Sequence, residues 1–146
     1  MCYTHRRLLA QTALQLLSEH KNKKAIDILK KADVEIPDYN VPIDYMSGGL
    51  DMARGWILAG QKQKAAEYVG KVWKTASQYL SYYLSLDANR FAQAQNDCIR
   101  QIMIMQSTCE VASMVDQKTA KKYEDQLNKL YTLYHGRGGQ MPNAGN

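Results

Sequence analysis

The stretch Met52–Val69, MARGWILAGQKQKAAEYV, reads as one amphipathic helix interrupted by a glycine at position 60. A glycine inside a helix only weakens it, whereas a glycine just past a helix end adopts the left-handed conformation that closes the last turn. A second copy of the spacing decides between the two. Ala53, Trp56, Gly60, Ala65 and Val69 repeat the positions of Ala13, Leu16, His20, Ala25 and Leu29, with an offset of 40 residues at every position. Small residues at 13, 25, 53 and 65 let two helices approach closely, and the large residues at 16 and 56 fill the space beside them. The spacing therefore predicts helix–turn–helix pairs, with His20 and Gly60 at the turns.

The rest of the chain follows the same 3.6-residue rhythm. Leu9, Ala13 and Leu16 mark the first helix, and Ala25, Leu29 and Ala32 the second. Val34 to Tyr45 contains both interior prolines, Pro37 and Pro42, and reads as an extended connector. Ala65, Val69, Val72, Ala76, Tyr79 and Tyr83 form a stripe on a long fourth helix. Asp87 is placed to cap a fifth, striped by Phe91, Ala94, Cys98, Ile102, Met105, Cys109 and Ala112. After a polar turn, Ala120, Tyr123, Leu127, Leu130 and Tyr134 mark the last helix. No alternating run long enough for a strand remains.

The small–large–Gly–Ala rhythm resembles the tetratricopeptide repeat, whose period is about 34 residues. The six extra residues fall in the connector, and Pro37 stands where that family commonly has its closing proline. The third pair matches less well, with Ala120 in place but Val115 where a turn glycine is expected. The expected fold is all-α: about six helices in antiparallel hairpins forming a right-handed α-α superhelix. Two divergent repeats would be followed by a capping hairpin, in one domain over 1–135, and 136–146 would be a flexible Gly-rich tail. The resemblance implies a partner groove on the first helix of each pair. Carried onto this chain it gives Arg7, Gln11, Leu14, Ser18, Leu50, Asp51, Arg54 and Leu58.

A narrower resemblance rests on Met1–Pro37, MCYTHRRLLAQTALQLLSEHKNKKAIDILKKADVEIP, and on Ala59–Leu86, AGQKQKAAEYVGKVWKTASQYLSYYLSL. These segments resemble the C-terminal region of large Bacteroidetes membrane proteins. The membrane part of those proteins belongs to a domain-of-unknown-function family similar to protein-O-mannosyltransferase-type (GT-C) glycosyltransferases. The resemblance implies a soluble domain of a membrane-anchored protein, on the periplasmic side, with any glycosyltransferase chemistry in the membrane part. The partner would be a protein, a peptide or that membrane part.

At 146 residues, 45% hydrophobic and 23% charged, the chain is in the globular range. No run reaches the roughly eighteen apolar residues of a membrane span. The opening MCYTHRRLLAQTALQLL is not read as a signal peptide, because Gln11, Thr12 and Gln15 interrupt it. The net charge of +5 gathers near His20–Lys24 and Lys30–Lys31. These lysines lack interleaved aromatics, so they read as a solvated face and not a nucleic-acid groove; weak attraction to an anionic membrane is the other reading.

No constellation carries chemistry, so the domain is expected to be neither an enzyme nor a cofactor or metal protein. His5, His20 and His135 have no ligand partner at helical spacing. His135–Gly139, HGRGG, follows a helix, whereas phosphate cradles precede one. The acid pairs Asp97/Glu110 and Glu124/Asp125 read as solvated. Cys98 and Cys109, eleven residues apart, lie about 16 Å from each other along one helix, too far for a disulfide, and are expected as buried thiols. Met103, Met105 and Met114 read as core filler. Tyr79, Tyr82 and Tyr83 share one side of the fourth helix, and offer either packing or an aromatic face for a glycan or peptide.

Overall fold

The computed structural model describes residues 3–140, and seven α-helices account for most of them: α1 (Tyr3–Ser18), α2 (Asn22–Glu35), α3 (Gly49–Leu58), α4 (Lys62–Leu84), α5 (Ala88–Gln93), α6 (Gln95–Val115) and α7 (Gln117–Gly136). No strand occurs among the described residues. The helices pack as antiparallel pairs, α1 with α2, α3 with α4 and α6 with α7, stacked through α1–α3 and α4–α6 contacts.

The two repeat turns are the same in their hydrogen bonds. His20 and Gly60 both have positive φ, 61° and 83°. At the first turn Lys21 N donates to Leu16 O at 2.8 Å and His20 N to Leu17 O at 3.1 Å. At the second, Gln61 N donates to Trp56 O at 2.8 Å and Gly60 N to Ile57 O at 3.0 Å. This pairing is the Schellman closure, which satisfies the last carbonyls of a helix with the next two amides. The third turn closes otherwise: Asp116 is extended, and its carboxylate accepts from Lys118 N and Thr119 Oγ1. That explains why no glycine stands near Val115.

Ala13, Ala25, Ala53 and Ala65 are all completely buried, as expected of the close-approach positions. Trp56 and Leu29 are buried beside them, while Leu16 is only partly covered. The expected fifth helix is two, broken at Ala94, so the count is seven and not about six. Ala94 N still donates to Arg90 O and Phe91 O, closing α5 before α6 begins. The Asp87 cap is present, its carboxylate accepting from Arg90 N at 2.9 Å.

Helix α6 is the centre of the stack. It buries Ile104, Thr108 and Val111 in addition to the stripe read from the sequence, because α4 and α7 both lie on it. Polar links set the register of the layers. Tyr68 Oη donates to Asp33 between α4 and α2. Trp73 Nε1 donates to Gln126 Oε1 at 2.9 Å, and its ring stacks on Tyr123 at 4.2 Å. Arg137 Nη1 donates to Leu84 O at 2.6 Å while its guanidinium lies 4.3 Å over Phe91. Tyr134 is fully buried and donates to Gln140 O, and Gly139 N donates to Tyr134 O. The segment expected to be a flexible tail is thus held in place over 136–140; residues 141–146 lie outside the described residues.

Candidate functional site

Pro37, directly after the C-cap Ile36, forbids continuation of α2, but the connector is folded back and not extended. Asn40 N and Val41 N both donate to Pro37 O, and Val41 and Ile43 are buried. Asp38 Oδ1 accepts from Ile43 N at 2.8 Å, and Lys71 lies 3.1 Å from the other oxygen. Ser47 N donates to Asp44 Oδ1 at 2.8 Å while Asp44 N donates to Ser47 Oγ at 3.0 Å, a reciprocal box just before α3.

The organiser of this loop is Arg6, on α1 and fully buried. Its Nη1 donates to Pro42 O at 3.1 Å and Ser47 Oγ at 2.9 Å, and its Nη2 to Ile36 O at 2.8 Å and Val41 O at 2.7 Å. Burial lowers its pKa, opposed by Tyr68, Asp38, Asp44 and Asp33. The flat fork of a guanidinium reaches acceptors on both sides of the loop at once, which an ammonium does not. Gly48 completes the fit, with φ at 85° and no room for a side chain: a Cβ there would lie 2.7 Å from Arg7 Cα.

Held this way, the loop turns Tyr45 and Met46 outward, 40% and 58% exposed. Tyr45 borders three hollows. One, about 180 Å³, lies between the loop, α4 and α6, lined by Met46, Val72, Thr75, Tyr79 and Ile104. The second, about 320 Å³, runs along α6 past Ile99, Arg100, Met103 and Ile104. The third, about 90 Å³, is polar and holds Arg7, Asp51, Arg54 and Ser107. Arg54 Nη1 donates to Asp51 Oδ1 at 3.2 Å, whereas Arg7 enters no ion pair among the described residues.

Of the groove positions expected from the sequence, Arg7, Leu50, Asp51 and Arg54 come together in the polar hollow. Gln11, Leu14 and Ser18 lie outside all three hollows, and Leu58 is exposed at the far end of α3. Residue Ser107 shows that α6 closes part of the groove. In the aromatic group, Tyr79 borders the first hollow and Tyr82 faces solvent. Tyr83 packs against the core; burial and the nearby Asp97 raise its pKa. The rings of Tyr79 and Tyr83 stack at 6.3 Å.

Arg6, Tyr45, Met46 and Met103 were not legible in the sequence as site residues. Arg6 and Tyr45 belong to no local motif, since Arg6 meets its acceptors 30 to 41 residues away. Met103 and Met114 are not core filler; they are more than half exposed, and of the three methionines read that way Met105 alone is buried. Cys98 and Cys109 are buried thiols as expected, and burial pushes Cys109 up to about 11. No group of three or more His, Cys, Asp or Glu side chains is arranged to hold a metal among the described residues. No described helix is long and apolar enough to cross a membrane. Compared with protein-family models, curated proteins and solved structures, the chain finds no match.

Proposed function

We propose that this chain is a non-catalytic protein-interaction domain, and that an extended segment of a partner lies across Tyr45. The observation behind this reading is the junction of hollows at that ring. Exposed Met46, Tyr79 and Met103 surround it, with a cationic polar end at Arg7. Exposed aromatic and methionine side chains are what interfaces concentrate: aromatic rings bury large areas with little ordering cost, and the flexible methionine adapts to the surface it meets. The fitting ligand is a peptide with two or three apolar side chains next to a carboxylate, the latter for Arg7. In keeping with the sequence resemblance, the domain would belong to a membrane-anchored glycosyltransferase-like protein, on its periplasmic side.

Peptide display against the whole chain, followed by calorimetry on the selected peptides, tests this. Tyr45→Ala is expected to weaken the peptides by about tenfold or more, as for an interface anchor. Selected peptides that bind Tyr45→Ala and Met103→Ala as well as the parent would refute the assignment.

The tyrosines of α4 favour a second reading, a glycan-binding face of exposed Tyr79 and Tyr82 with half-buried Tyr83 between them, its ring stacked on Tyr79 and tilted to Tyr82. Oligosaccharide titration into the protein and into Tyr79→Ala/Tyr82→Ala separates the two. Absence of binding at millimolar sugar removes the glycan reading.

A further inference from the structure

The topology gathers the charge of this protein at one end. Gly48, at the start of α3, lies against Arg7, near the start of α1, so these two packed helices run in the same direction. Trp73 meets Gln126 and Leu84 meets Arg137, a constant offset of 53, so α4 and α7 are also parallel. α2 pairs antiparallel with α1, and α4 with α3, so α2 and α4 also share a direction, and Asp33 near the end of α2 reaches Lys64 and Tyr68 of α4. The three hairpin turns therefore open toward the same end; taken with the helix ends that flank them they span 18–24, 58–64 and 114–122. The Tyr45 loop joins α2 to α3 at the opposite one.

These turns contain Lys21, Lys23, Lys24, Lys62, Lys64, Lys118, Lys121 and Lys122 against only Glu19 and Asp116, a net of +6. The whole chain is +5, so everything outside the turns sums to −1. All eight lysines are exposed. Lys21 is paired to Glu19, and Lys64 to Asp33 and Glu67; the other six enter no ion pair among the described residues. Asp116 is occupied in capping α7. At the rim stand two large apolar side chains, Leu58 at 62% and Met114 at 53% exposure.

We propose that this end docks on an anionic phospholipid surface. Three separate turns define a plane, and flexible lysines around exposed Leu58 and Met114 match a flat, soft, negatively charged partner with an apolar interior. A single-stranded nucleic acid would use aromatic rings as stacking platforms. The three turns contain no Phe, Tyr or Trp. Docked this way, the protein keeps the Tyr45 cleft on the side away from the bilayer; the inference does not depend on what that cleft binds.

The test is flotation of the whole chain with vesicles of phosphatidylcholine alone or with about a third phosphatidylglycerol. Binding is expected only to the anionic vesicles, and it is expected to vanish at about 0.5 M salt, where the screening length is a few ångströms. Each surface lysine contributes about fivefold, so Lys23→Gln/Lys24→Gln/Lys62→Gln lowers the partition coefficient about a hundredfold. The charge-matched Lys30→Gln/Lys74→Gln/Lys129→Gln, with its changes away from the turns, lowers it less than tenfold. Circular dichroism verifies that both variants fold. Equal losses in the two variants would overturn the proposal. So would indifference to lipid charge, or tighter binding to a single-stranded oligonucleotide than to the anionic vesicles at equal salt.

Discussion

Arg6 offers the sharpest test of how the Tyr45 site is built. Arg6→Met keeps most of the buried stem and removes the guanidinium. Its four acceptors are then not equally affected. Pro42 O still receives Ser47 Oγ at 2.8 Å, and Ser47 Oγ still receives Asp44 N at 3.0 Å. Ile36 O and Val41 O have no other donor among the described residues, and both residues are buried. An orphaned buried carbonyl costs about 1–3 kcal/mol, which makes roughly 2–6 kcal/mol for two. Part of this is offset because a desolvated cation is no longer held inside. We expect a net loss of about 3 kcal/mol, which for a chain of this length lowers Tm by about 10 °C.

Thermal unfolding followed by circular dichroism measures that loss, and limited chymotrypsin digestion reports on the loop itself. Tyr39, 87% exposed, and Tyr45 are the cleavage sites within it. Arg6→Met is expected to be cut there faster than the parent while the helices remain folded. Arg6→Lys, which reaches fewer acceptors, falls between the two. A loss below about 1 kcal/mol together with an unchanged cleavage rate would refute the clamp, since the orphaned carbonyls alone cost more than that.

Gly60→Ala is expected to cost about 1 kcal/mol from backbone strain alone, because a Cβ there meets nothing within 4 Å. His20→Gly, at the equivalent left-handed position, is expected to gain about 0.5 kcal/mol after the glycine's extra unfolded-state entropy. Urea midpoints at constant m measure both, and effects of the same sign would contradict the shared turn geometry. Asp116 is held below its usual pKa by the Thr119 hydroxyl and then the Lys118 amide. Its contribution is therefore present at neutral pH and is lost as pH falls below the unfolded value toward the depressed folded one. Asp116→Asn should show a shallower fall of Tm between about pH 5 and 2; parallel acid limbs would count against the cap.

How much was legible in the residues depended on the range of each interaction. The left-handed turns at His20 and Gly60 follow from a spacing repeated within the chain, and their closing hydrogen bonds span five residues or fewer. Local physics therefore suffices to place them. The same holds for the buried alanines at 13, 25, 53 and 65, since a helix face is a local property. Met103 was misread because α6 buries side chains against two neighbours, and periodicity along one helix does not tell which sector stays uncovered. The break at Ala94 was also invisible, since the apolar stripe runs straight across it.

By itself the sequence determined that the protein is all-helical, that its hairpins repeat, and where two of its turns lie; turn chemistry and a 3.6-residue period carry that information. Only the tertiary structure decided that a buried arginine folds the connector, that Tyr45 stands among three hollows, and that the charged turns share one end. Those features arise from groups 30 or more residues apart, whose meeting depends on how helices stack and not on any local pattern.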